Sequence, residues 1–368
     1  EIYLGNNKQE FIYQSNLWEK ADTRFVQDFP EVDNLRSGRL WAPLIESLGW
    51  NLYKLPGREI SPHVQFQFVE GERMKADEYD MFLDDLSDWC FRRYLPRSIG
   101  SLAPFADFQP LPYMLGMANR FVGPAFMTRV RAAYQAIIDY GLETEKSMGP
   151  GMKFGQEVNA AGYPNFFGGQ SHAPFDILAD TLRGTKGILL DMYRQPEKVL
   201  QAMEKVVKMN IDVGIDGINM SGVPIVFFAL HKGDDTFMSS KQYEKFYWPT
   251  FRKVILGLIE EGAVPLLFAE GAYNNRLEII KDLPRGKVIW YFDRTDMFQA
   301  KKILDAAKAL EEAGAFMILL EMVPDRLCQL ITQRANNCII MSLGSGPHAH
   351  GQLLIYHDMF GLYPRFKP

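Results

Sequence analysis

At 368 residues and 42.1 kDa, the chain is long for one small domain and ordinary for a single α/β barrel. Its net charge is −5 and its pI near 5.8, and Lys and Arg are scattered without basic runs, which excludes an electrostatic footprint for nucleic acid or an anionic membrane surface. The three cysteines, Cys90, Cys328 and Cys338, suit reduced thiols and a cytoplasmic setting. No apolar run approaches the roughly 20 residues needed to span a bilayer.

The sequence begins Glu1-Ile2-Tyr3-Leu4-Gly5, with neither Met nor a signal-peptide pattern. Residues are therefore expected upstream, and secretion stays open. Residues 1–60 are aromatic and rich in turn formers and read as an irregular N-terminal segment. Val64 to Glu70 alternates with period two, as a half-buried strand does, and a helix follows around Asp77-Glu78-Tyr79-Asp80. Apolar residues recur at helical spacing from Phe121 to Gly141. Residues 147–172 are dense in glycine and proline (Gly149, Pro150, Gly151, Gly155, Gly162, Pro164, Gly168, Gly169) and read as a long functional loop.

Beyond that loop the pattern becomes repeated strand–helix units. Gln195-Pro196-Glu197 opens a helix running to about Ile211, with proline in its first turn. The expected strands are Val223–Leu230, Val264–Phe268, Lys287–Phe292, Phe316–Leu320 and Cys338–Leu343. The expected helices between and after them are Ser239–Glu261, Asn274–Lys281, Met297–Ala313 and Asp325–Gln333. Short apolar strands alternating with amphipathic helices call for a parallel sheet covered on both faces. The expected fold is α/β: a (β/α)₈ TIM barrel over residues 61–368 forming one domain behind the N-terminal segment, with a doubly wound open sheet as the runner-up.

In a barrel, chemistry gathers on the loops after the strands. Those positions hold His231-Lys232-Gly233-Asp234-Asp235, Glu270-Gly271, Asp293-Arg294-Thr295-Asp296, Glu321, and Gly344 to Gly351 with His348 and His350. A single loop acid more often caps the next helix than reacts. Five such loops on one rim shift the balance. His231, after an eight-residue apolar strand, is read equally as a satisfied imidazole or as a metal ligand or proton carrier. The catalytic candidates are Glu321, Glu270, Asp293 and His231. The candidates for binding substrate are Lys232, Asp234, Arg276, Arg294 and His348, and a divalent metal, zinc or magnesium, would take His231, Glu270 and His350. No phosphate-binding or dinucleotide-binding glycine motif occurs, so no nucleotide cofactor is expected.

Extended motifs run through the body of the chain. They include Gln67 to Met74 with Glu78-Tyr79-Asp80, Pro174-Phe175-Asp176 with Leu182-Arg183-Gly184, and Met238-Ser239 with Phe246-Tyr247-Trp248-Pro249. Further on come Ala269-Glu270-Gly271 with Arg276-Leu277-Glu278, and Leu283 to Lys287 with Phe292 to Asp296. On these residues, about Phe66 to Leu304 resembles the uroporphyrinogen decarboxylase superfamily, which also contains corrinoid methyltransferases. The arginine-rich Arg-Gln-Ala-Gly-Arg motif of true uroporphyrinogen decarboxylases is missing. Where zinc methyltransferases of the group carry His-x-Cys, this chain has Phe268-Ala269-Glu270. From about Asp305 to Pro368 the resemblance changes. Lys308 to Phe316, Leu320 to Pro324, Gly344 to Gly351 and His357 to Leu362 look like ketopantoate hydroxymethyltransferase. There the carboxylate at the position of Glu321 acts as a base beside a metal-polarised ketone. A natural fusion and an engineered join would read alike.

The resemblance implies an enzyme that transfers a methyl group to or from a corrinoid or a small substrate, with a corrinoid protein as a partner and a homodimer open. The alternatives are a decarboxylating lyase, metal-assisted hydroxymethyl transfer on a 2-keto acid, and a catalytically inactive barrel or fusion.

Overall fold

The computed structural model describes residues 5–29, 40–117, 119–163, 165–292 and 300–354. The chain divides into two compact units. Residues up to 165 together with 181–189 form the first, and residues 166–180 together with 190–354 form the second. The division falls far from residue 60, where the sequence places its boundary.

In the first unit the N-terminal stretch is not irregular. It carries helices Lys8–Tyr13, Ser15–Asp28 and Ala42–Leu48. Asn7 and Glu10 cap the first of these reciprocally, each side chain accepting the other's main-chain N–H at 2.9 Å. The expected strand near Val64 shrinks to a two-residue pair, β1 (Tyr53–Lys54) antiparallel to β2 (Gln67–Phe68). A core of Leu48, Ile99, Leu102, Phe105, Phe108, Val130 and Ala133 packs the end of the third of these helices against later parts of the unit, while Ile12, Ala42, Ile45 and Leu55 join the first to the third. Glu78 is clamped by both terminal nitrogens of Arg97, at 2.7 and 2.6 Å. The main correction is the long loop. Most of it is the C-terminal half of one helix, Thr128–Ala160, which passes straight through Gly149-Pro150-Gly151. Helix formers stand on both sides, Leu142, Glu143, Glu145 and Lys146 before and Lys153, Gln156 and Glu157 after, and the helix continues against the roughly 3 kcal/mol that an interior proline costs.

The second unit is built on a seven-stranded parallel sheet: β3 (Gly169–Ser171), β4 (Ile225–Leu230), β5 (Val264–Ala269), β6 (Ile289–Phe292), β7 (Met317–Glu321), β8 (Ile339–Leu343) and β9 (Gly351–Gln352). The strands lie side by side in sequence order. A doubly wound sheet needs a reversal of that order, so this alternative is excluded. Among the described residues β3 and β9 have no pairing that would close the sheet into a ring, so the α/β class and its parallel sheet stand while the eight-stranded barrel is not seen. No helix among the described residues is long and apolar enough to cross a membrane, and Cys90, Cys328 and Cys338 are free thiols.

One face of the sheet is largely buried. Val226, Phe228, Leu230, Leu267, Ala269, Trp290, Ile318 and Leu320 all lie on it. Each large side chain among them contributes roughly 1.5–3 kcal/mol. The helix Pro196–Ser221 buries Val199, Ala202, Met203, Val206, Asn210 and Gly214 at helical spacing and comes close enough to β3 that a Cβ on Gly217 would lie 2.6 Å from the Gly169 Cα. The other face is half-buried and aromatic. Phe167 stacks on Phe227 at 4.8 Å, Phe227 on Phe268 at 6.3 Å, and Phe268 on Tyr291 at 4.2 Å. The strands therefore alternate between an aliphatic-rich buried side and this aromatic one.

Hollows of about 40, 20 and 610 Å³ border the helix Ala300–Glu312, the last lined also by Arg285, Ile331, Arg334 and Cys338.

Candidate active site

The C-terminal ends of β3, β4 and β5 bring together one polar cluster. Asp176 follows β3 in the short helix Pro174–Asp176, and Asp180 comes one turn later. His231 and Lys232 follow β4, and Glu270 follows β5. The His231 ring stands between two carboxylates. Its Nδ1 is 2.7 Å from Asp180 Oδ2, and its Nε2 is 3.9 Å from Glu270 Oε1. Lys232 Nζ lies 3.4 Å from Asp180 Oδ1 and 5.5 Å from the centroid of the Phe237 ring.

These charges act on each other. The hydrogen bond to Asp180, reinforced by the charges of Asp176, Asp180 and Glu270, raises the His231 imidazole to about 9. His231 is thus an imidazolium at neutral pH, with Nδ1 donating to Asp180 and the Nε2 proton directed away from it. Asp176 is buried, and burial together with the Asp180 charge pushes its carboxyl up to about 7 against the opposing pull of His231 and of its hydrogen-bond donors. Tyr247 donates its hydroxyl to Asp176 Oδ2 at 2.8 Å, and burial holds that phenol well above its usual range, so it stays a donor.

Other expected site residues are placed differently. Arg276 is turned into the fold and is 1% exposed. Its guanidinium donates to the carbonyls of Gly233 and Asp234 at 3.1 Å, to the Met238 carbonyl and to Ser240 Oγ, and it lies over the Tyr243 ring. Asp234 is likewise occupied locally, its Oδ1 accepting the Thr236 N–H at 2.7 Å and the Thr236 hydroxyl, a turn of the kind aspartate favours. Asp293 and Arg294 lie outside the described residues.

Glu321 ends β7, three strands from His231, and accepts the Tyr291 hydroxyl at 2.6 Å. Met322 after it has φ 52, the left-handed region that costs a non-glycine residue about 1–2 kcal/mol. The loop after β8 is tied into the fold. Buried Ser345 donates to the Leu320 carbonyl and accepts the Val323 N–H, His350 Nδ1 accepts the Ile340 N–H at 2.9 Å, and His348 Nε2 is 3.5 Å from Asp325. His231, Glu270 and His350 are not gathered into one metal cradle, and among the described residues no three His, Cys, Asp or Glu side chains form one. The described residues do not fit a three-ligand metal site.

Asp176, Asp180 and Tyr247 are the site residues that sequence reasoning passed over. The signal in the sequence was the spacing alone, two acids four apart at Asp176 and Asp180.

Comparison with known proteins finds the same two families as the motifs, the first over a shorter stretch that begins at residue 148. Residues 148–315 match the uroporphyrinogen decarboxylase family, and residues 292–368 match the ketopantoate hydroxymethyltransferase family. Curated relatives at the C-terminal end are 3-methyl-2-oxobutanoate hydroxymethyltransferases. That of Thermus thermophilus is 49% identical over 70 residues, 19% of this chain and 26% of the relative. That of Carboxydothermus hydrogenoformans is 49% identical over 73 residues, 20% of this chain and 26% of the relative. The chain thus spans about a quarter of the length of these relatives. Among solved structures, a methyltransferase from Methanosarcina mazei superposes with a TM-score of 0.48 at 11% identity, over 95% of this chain and 84% of that one. The chain is therefore uroporphyrinogen-decarboxylase-like through its middle and ketopantoate-hydroxymethyltransferase-like at its end.

Proposed function

We propose that the chain is an enzyme of uroporphyrinogen-decarboxylase type that releases CO₂ from a carboxylate-bearing substrate, with His231 as the proton donor. The observation that carries this is the 2.7 Å bond between His231 Nδ1 and Asp180, which keeps the imidazole charged. When the bond from substrate carbon to carboxylate breaks, its electron pair stays on that carbon within the substrate's conjugated system. The His231 Nε2–H then delivers a proton to the carbon, leaving a neutral imidazole that regains its proton from water. Lys232 adds a second positive charge that attracts an anionic substrate. The family match over residues 148–315 supports a reaction of this class.

Methyl transfer to or from a corrinoid or small substrate is the second reading. The same acid favours it, because protonating a leaving heteroatom eases the departure of a methyl group. One experiment separates the two. The full chain is incubated with uroporphyrinogen and with small pyrrole and aromatic carboxylates, and CO₂ release is measured for wild type and His231→Gln. Release should fall by about 10² to 10⁴ in the variant, the range of a general acid. Equal release by the variant, or no release alongside methylation of free cobalamin, would overturn decarboxylation.

A further inference from the structure

Asp176 is 2% exposed, yet both its oxygens are engaged by one stretch of backbone. Oδ2 accepts the main-chain N–H of His231 at 3.2 Å, and Oδ1 accepts that of Lys232 at 3.1 Å. These are the two consecutive residues that bear the cations of the site. Asp180, four residues on, takes the other end of the same histidine, its ring. Two acids of one helical turn thus hold His231 twice, by its peptide and by its imidazole.

Tyr247 completes the hold. It ends the wide π-helical turn Tyr243–Tyr247, and its ring stacks on Tyr243 at 5.1 Å while its hydroxyl reaches Asp176. Gly233 leaves room for it, because a Cβ there would lie 2.9 Å from Tyr247 Cζ. A buried carboxylate would ordinarily need a partner on its own element or a cation in direct contact. Here its donors are the catalytic strand end and one phenol.

We propose that Asp176 and Tyr247 form a positioning pair that fixes the His231–Lys232 peptide and so aims the His231 Nε2 proton at the substrate. This rests on the acid role of His231 proposed above. Asp176 and Tyr247 touch no substrate; they act through the backbone. An error of about 1 Å in such an aim costs on the order of 10²-fold in rate.

Asp176→Asn offers one acceptor oxygen and one N–H₂ donor, so it cannot take both peptide N–H groups. Tyr247→Phe keeps the ring and removes only the donor. The readout that does not depend on the reaction is the low-field NMR signal of the proton on His231 Nδ1, the one held by Asp180. In both variants that proton should exchange with solvent at least about tenfold faster. With substrate, kcat should fall about 10- to 100-fold with KM within about twofold. A signal unmoved in position and exchange in both variants would overturn the pair. So would a uniform loss of stability without any change in that signal. Should Asp176→Asn not fold, Tyr247→Phe alone decides. If the exchange result holds and no CO₂ is released by the wild type, the pair stands and the reaction assigned above fails instead.

Discussion

His231 Nδ1 and Asp180 Oδ2 meet at 2.7 Å, which sets the sign of the pH dependence. The folded imidazole is raised to about 9, above the roughly 6.5 of an unfolded histidine. Its contribution to stability is therefore fully present below about 6.5 and lost as pH rises through about 9. Urea unfolding of wild type and His231→Gln should show a gap that narrows across that window, and the rate should fall over the same rise. A gap constant across the window would mean that His231 is not charged in the folded chain.

Arg276 is expected to matter through the fold. Arg276→Met leaves the carbonyls of Gly233, Asp234 and Met238 without their donor in a buried place and should cost about 3–5 kcal/mol. Denaturant titration measures this directly. A variant of near wild-type stability with a raised KM would instead restore Arg276 as a substrate binder.

The Glu78–Arg97 clamp of the first unit gives an acid-side prediction. Burial tends to raise the Glu78 carboxyl, but the Arg97 hydrogen bonds and charge outweigh it and hold it down to about 2. A depressed carboxyl contributes stability above its unfolded value near 4.3 that is lost as pH falls through about 2. Arg97→Ala should cost about 2 kcal/mol at neutral pH, and the loss should shrink in acid. An equal loss at both ends of that range would place the effect in packing alone.

Glu321 lies three strands from the imidazolium and bonds to Tyr291. Glu321→Gln should leave CO₂ release within about threefold. If it abolishes release, or if the wild type exchanges α-protons of a 2-keto acid and the variant does not, the C-terminal resemblance carries the chemistry.

The strands that could be read in the sequence were those with apolar runs. Ile225–Leu230 and Val264–Ala269 differ from expectation by a residue or two because Val, Ile, Leu and Phe packed under helices leave a continuous signal. The strand β3, Gly169-Gln170-Ser171, has no apolar residue and is held by the close helix at Gly217, so nothing local marked it. With β3 unread, Asp176 and Asp180 did not look like residues after a strand, and the partners of His231 were missed. Arg276 failed for the opposite reason. A loop arginine reads as exposed until the carbonyls that bury it are known.

The helix Ala300–Glu312 falls within the stretch where the two family matches overlap, 292–315, and among the described residues it is bordered by the three hollows named above. The segments on either side of the overlap match different families, and the hollows along this helix are places where van der Waals contacts are not made. Such a suture opens before the rest. Amide exchange should be fastest there among the buried helices of the second unit, proteases should cut there first, and larger apolar side chains at Ala306 or Ala307 are where added packing has room to stabilise the chain.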